Sequence, residues 1–212
     1  MGYSRTPGPL SEAPSIDWAS PAAPVTGLGL PGAVGMKGGD ACSGTPRLKN
    51  WPRAISWDEF RDLEERPEGE DEDAQIDAQA ILDPSVNICS DSGKLRLGMF
   101  TVKLTVFKEN SWVIRTKKSD DDLKSHEQGH YDLLGLDTRV LMKRLSALRA
   151  DTGDELQRLV SEEIEASQSR AQALSDLYDA KTGHGLKATE QAAWKAAIQL
   201  AIDTGKDFQV PG

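Results

Sequence analysis

Histidine and cysteine are scarce in this chain: three of one and two of the other among 212 residues. The cysteines, Cys42 and Cys89, are far apart and form no CxxC pair, which makes them poor metal ligands. The simplest expectation for them is two free thiols in a reducing compartment, with a disulfide as the alternative. Also missing is any uninterrupted apolar run of about 18 residues, so no transmembrane helix is expected. The first 20 residues hold one arginine and no continuous apolar core. The mildly apolar stretch 21–36 is broken by Pro24, Gly27, Gly29, Pro31, Gly32 and Gly35, which a secretory helix does not tolerate. No signal peptide is visible, and the default expectation is a cytoplasmic protein. Basic residues are outnumbered, 25 against 34 acidic ones, for a net charge of −9. That balance argues against nucleic acid or an anionic membrane as partner, and its plainest meaning is solubility.

What is present divides the chain in two. Residues 1–50 are rich in Pro, Gly, Ser and Ala without apolar periodicity, and are expected to be a disordered arm. Residues 51–212 are expected to fold as one domain. Ser56 and Glu59 fit a capping box opening a short helix through Phe60 and Leu63. The acidic stretch 64–77 reads as a solvated loop, since its carboxylates lack EF-hand spacing. Strand alternation follows over 78–115, with a parity slip at Phe100 that suggests a bulge or a bend, and Glu109-Asn110 reads as a hairpin turn. Connections this short predict a small antiparallel sheet. Helical spacing takes over after Ser119, with Asp120, Asp121 and Asp122 at the positive end of the helix dipole. Thr152 with Glu155 opens a second helix, and a third spans about 189–203. The fold class is therefore α+β.

Two of the three histidines fall in His126-Glu127-Gln128-Gly129-His130, an HExxH pattern inside the first long helix. Residues four apart share a helix face one turn apart, which lets two imidazoles grip one metal ion. The intervening Glu127 leans over the same ion and can take a proton from water. A catalytic zinc needs a third protein ligand. A glutamate on the next helix offers Glu162, Glu163 or Glu165. The metzincin arrangement is excluded, because Leu133 and Leu136 stand where it needs Gly and His. His184, between Gly183 and Gly185, is the preferred third ligand, and three imidazoles plus one water then make an open tetrahedral site.

The run LKSHEQGHYDLLGLDTR followed by YDAKTGHGLKATEQAAW resembles a bacterial family of predicted zinc-dependent proteases that is catalogued as a domain of unknown function. The resemblance rests on HEQGH together with Tyr178, Asp179, Thr182, His184, Gly185, Gln191 and Trp194, and on upstream Ile55–Phe60 and Ser111-Trp112-Val113. It covers about residues 51–204. It implies a zincin-like metallopeptidase with its small sheet packed against the HExxH helix, and it allows for export.

Roles follow from the chemistry. His126, His130 and His184 bind Zn2+ through neutral nitrogens. Glu127 is the general base acting on the zinc-bound water and returns its proton to the leaving amine. Tyr178 is the candidate oxyanion donor, with a packed aromatic as the plain alternative. Asp179 or Asp132 can accept the free N–H of a ligand histidine. Gln191 and Trp194 are expected to pack the loop. The expected partner is a protein or peptide substrate. The competing expectation is a non-catalytic, zinc-stabilised binding module.

Overall fold

The structure, a computed structural model, describes residues 40–212. In chain order it contains α1 (Asp40–Ser43), β1 (Arg47–Lys49), β2 (Arg61–Leu63), β3 (Ala74–Gln75), β4 (Ala78–Leu82), β5 (Ile88–Asp91), β6 (Lys94–Leu97), β7 (Thr101–Val106) and β8 (Trp112–Ile114). Three long helices follow: α2 (Asp121–Ala147), α3 (Gly153–Thr182) and α4 (Ala188–Thr204). The chain is mixed α+β, as its patterning predicts. Among the described residues no helix is long and apolar enough to cross a membrane.

The sheet differs from the antiparallel one expected. It is split into β1-β7-β4, β2-β8-β3 and the hairpin β5-β6. The β1–β7 and β2–β8 pairs are parallel. Short connections forbid parallel pairing only between consecutive strands. Here the parallel partners arrive from far upstream: Arg47 pairs with Thr101, and Arg61 with Trp112. For the same reason Glu109-Asn110 closes no hairpin, because β7 and β8 belong to different sheets. The slip at Phe100 is the bend between β6 and β7, which also lie in different sheets.

Part of the expected arm, residues 1–39, lies outside the described residues. The rest contributes to the fold. Strand β1 adds to β7, and Cys42 is disulfide-bonded to the buried Cys89 with a Cα–Cα distance of 5.8 Å. The expected free thiols are thus replaced by a crosslink, because β1 brings the preceding cysteine beside β5. The bond closes a sequence separation of 47 residues. In the chain-entropy view this contributes about 4 kcal/mol. Reduction should lower the urea unfolding midpoint accordingly, and an unchanged midpoint would show that the bond constrains nothing.

The capping box at Ser56 forms, with Asp58 N–H and the Glu59 carboxylate both engaged. It opens only a 3-10 turn over Trp57–Glu59, because the following residues pair as β2 instead of continuing a helix. The long helices start as their caps dictate. Asp120 accepts from the N–H groups of Asp122 and Leu123, and Thr152 accepts from Glu155 N–H. Helix α4 ends at Gly205 in the left-handed conformation.

Two apolar clusters fix α2 along its length. The first joins its Tyr131, Leu133 and Leu136 to Phe60, Tyr178 and Trp194. The second joins Leu141 and Leu145 to Leu156, Val160, Phe100 and Val102. Helix α2 therefore runs through the middle of the domain, and the HEQGH turn near its start faces α3, α4 and the loop before β3.

Candidate metal centre

His126 and His130 lie one turn apart on α2, as their spacing requires, and their Nε2 atoms are 3.2 Å apart. A carboxylate from the neighbouring helix α3 meets both. Asp179 Oδ1 is 3.1 Å from His126 Nε2 and 2.9 Å from His130 Nε2. Ligands bound tetrahedrally to zinc at about 2.0–2.1 Å stand about 3.3 Å from one another. The three donor atoms are thus spaced as one cation would space them.

The opposite ring nitrogens are already committed. Tyr178 Oη donates to the His126 carbonyl at 3.4 Å and accepts from Gln191 Nε2 at 2.6 Å. That leaves Gln191 Oε1, 3.3 Å away, to accept the Nδ1 proton of His126. His130 Nδ1 is 2.8 Å from Ser175 Oγ. With Nδ1 carrying the proton, each ring frees its Nε2 lone pair for a cation beside Asp179; with Nε2 protonated, the same ring donates to Asp179. Outer partners of this kind fix the tautomer of metal-binding imidazoles. Truncating Gln191 to Ala should weaken metal binding by about 10–100-fold, the usual effect of losing such a partner. A competition titration against a chromophoric chelator measures it, and wild-type affinity would remove Gln191 from the site.

His184 sits at the rim. Its backbone is left-handed at φ 52°, between Gly183 and Gly185, which are left-handed too. A Cβ on Gly185 would stand 3.1 Å from the Cβ of His126, so only glycine lets the turn come this close. His184 Nδ1 lies 3.7 Å from Asp179 Oδ1 and 2.6 Å from Glu72 Oε1. That atom is shielded from solvent, with the Glu72 carboxylate as its nearest acidic neighbour. One donor atom each from His126, Asp179 and His184 lies within 4.8 Å of the others. The HEQGH pair is therefore brought together most tightly with Asp179, and His184 approaches from the open side.

Glu127 is 1 % exposed. Burial pushes its carboxyl up to about 8, against the pull of His126 and with the Glu72 and Asp179 carboxylates adding to the rise; the Ile76 amide also opposes it. Burial opposes ionisation of Asp179 too, but the hydrogen bonds from His126 and His130 hold its carboxyl well below the usual carboxylate range. Burial raises Glu72.

Several sequence-based assignments change. Tyr178 is fully buried, stacks on His126 with ring centroids 4.7 Å apart, and spends its hydroxyl on Gln191 and the His126 backbone. It lies behind the His126 ring, the packed arrangement that the sequence left open as the alternative to an oxyanion donor. Gly129 is required here, because a Cβ at that position would collide with the Tyr178 hydroxyl. Asp132 accepts from Trp51 Nε1 and Gln128 Nε2, so it holds no ligand histidine. Asp179 faces the Nε2 atoms instead of an Nδ1–H. Glu162 pairs with Arg158 and Glu163 with Arg144, away from the HEQGH turn. Gln191 does more than pack, through its bond to His126.

Glu72 is the residue that sequence reasoning missed. It lies in the acidic loop expected to be solvated. Asp73 pins that loop inward through Arg66, Lys117 and the Ile114 N–H, and the buried Ala74 and Ile76 follow it.

Residues 108–185 match the family described as "Bacterial protein of unknown function (DUF922)", which supports the resemblance read from HEQGH and the His184 turn. The match spans both motifs and carries no statement of activity. No curated protein matches this chain, and no solved structure does.

Proposed function

We propose that this chain is a zinc-dependent metallopeptidase of zincin type. The observation that carries the reading is the convergence of His126 Nε2, His130 Nε2 and Asp179 Oδ1 within 3.2 Å of one another, with both histidines held by outer partners. Two imidazoles and a carboxylate form a donor set suited to zinc, and His184 Nδ1, which meets Glu72 at the rim, offers a further nitrogen. Bound zinc supplies Lewis acidity, polarising a carbonyl and lowering the pKa of water.

The remaining chemistry belongs to the chain. Glu127 accepts a proton from water as its oxygen adds to the scissile carbonyl carbon. The carbon–nitrogen bond then breaks, and the same proton passes to the leaving amine. A carboxyl raised by burial suits this two-way transfer near neutral pH. Gln191 and Ser175 keep the ligand imidazoles in one tautomer throughout. The Cys42–Cys89 disulfide supports an oxidising compartment, in keeping with the export that the family resemblance allows and against the cytoplasmic default.

A second reading, the non-catalytic zinc-stabilised module, is favoured by two observations: Glu127 is closed off from solvent, and Glu72 stands against His184. Incubating zinc-loaded protein with casein and with a peptide library, with and without chelator, decides between them. Chelator-sensitive cleavage supports the peptidase. Tight zinc binding without cleavage of any substrate supports the module.

A further inference from the structure

Strand β4 is an edge strand, and its open side faces a cleft of about 660 Å³ that reaches His130 at one end. The ladder to β7 fixes which groups are free. Phe107 N–H donates to Asp77 O and Asp83 N–H to Thr101 O, so the odd-numbered residues of this segment bond to β7. Residues of an antiparallel strand alternate in this respect. The N–H and C=O groups of Ala78 and Ala80 therefore point into the cleft. Exposed edges are ordinarily blunted by lysine, proline or a covering element. Residues 78–82 contain none of these side chains.

The rest of the cleft defines what fits. Leu134 of α2 and Ile164 of α3 give it an apolar floor. Every lysine and arginine is absent from its lining, whereas Asp77, Glu165 and Asp176 are present. Glu165 and Asp176 are exposed on α3, across from β4.

We infer that this cleft binds an extended, basic peptide segment that adds to β4 as a further strand, with apolar side chains on the floor and lysine or arginine toward Glu165 and Asp176. Main-chain pairing with Ala78 and Ala80 supplies affinity without regard to sequence, and the alternating side chains supply selection. The cleft meets the metal centre only at His130 and Ser175, on the Nδ1 side of that ring, and His126, Glu127 and Asp179 do not line it, so the inference concerns a docked peptide and does not rest on the peptidase reading.

The test reads binding, so it does not depend on turnover. The probes are a fluorescein-labelled eight-residue peptide of alternating leucine and lysine, its leucine–glutamate counterpart, and the first peptide N-methylated at alternate residues. Anisotropy is measured with zinc-loaded Glu127→Gln protein. The lysine peptide should bind at least about 10-fold tighter than the glutamate peptide, and N-methylation on the pairing edge should cost about 10-fold, the effect of one or two lost hydrogen bonds. Replacing Glu165 and Asp176 together by lysine should invert the charge preference. Ala80→Pro should match the methylated peptide, since it deletes a cleft-facing N–H and leaves the β7 ladder intact; the methylated probe carries the test if that variant misfolds. Equal binding of both peptides with no effect of methylation overturns the inference. The binding pattern without wild-type cleavage keeps the cleft and removes the peptidase. Cleavage of casein without the binding pattern does the reverse.

Discussion

Glu127→Gln should abolish peptide hydrolysis while leaving about one zinc per chain in place. The substitution preserves shape and retains an acceptor for the Ile76 amide, but it removes the group proposed to take and return the proton. Loss of a positioned general base lowers turnover by about 10²–10⁴-fold. Because Glu127 is buried and accepts a proton readily, a neutral amide there should leave the melting temperature close to that of the wild type. The measurement pairs initial cleavage rates with metal content by mass spectrometry. Retained hydrolysis at full zinc occupancy would transfer the base role elsewhere. Lost zinc would show that Glu127 helps hold the ion.

Asp179→Ala should weaken zinc binding more than any single change outside the HEQGH pair. Among the described residues, its carboxylate meets both Nε2 atoms. Removing an outer partner costs about 10–100-fold in affinity, and removing a ligand that also carries the neutralising charge should exceed 100-fold. His184→Ala should cost less, since its Nδ1 stands 3.7 Å from the same oxygen and meets Glu72 more closely. Chelator competition on the two variants gives the order directly. Unchanged affinity in Asp179→Ala, with loss in His184→Ala, would restore the three-imidazole site read from sequence and move Asp179 to an outer position.

The HEQGH helix was legible because its information is local. Helix periodicity, the Asp120 cap and the four-residue histidine spacing all act within a few turns. The Gly183–Gly185 turn was legible for the same reason, and its left-handed backbone follows from residue type. Strand pairing was not, because β1 reaches β7 across more than fifty residues, and nothing in Arg47–Lys49 marks the partner. Asp179 was not singled out by a simple count. Helices α2 and α3 are joined by residues 148–152, so positions at similar distances from that connection lie roughly level. On that count the HEQGH turn lies level with about residues 170–174, which puts Ser175 beside it but leaves Asp179 and Glu165 equally far to either side. Glu72 was hidden by composition. An acidic, Pro- and Gly-containing stretch reads as solvated, and only the tertiary bonds of Asp73 draw it onto His184.

Zinc K-edge X-ray absorption of the purified protein tests the convergence of ligands most directly. The account predicts about one zinc per chain, four-coordinate, with only nitrogen and oxygen neighbours near 2.0–2.1 Å and the multiple-scattering signature of at least two imidazoles. Protein that takes up no stoichiometric zinc, or zinc whose spectrum shows sulfur or fewer than two imidazoles, would contradict it.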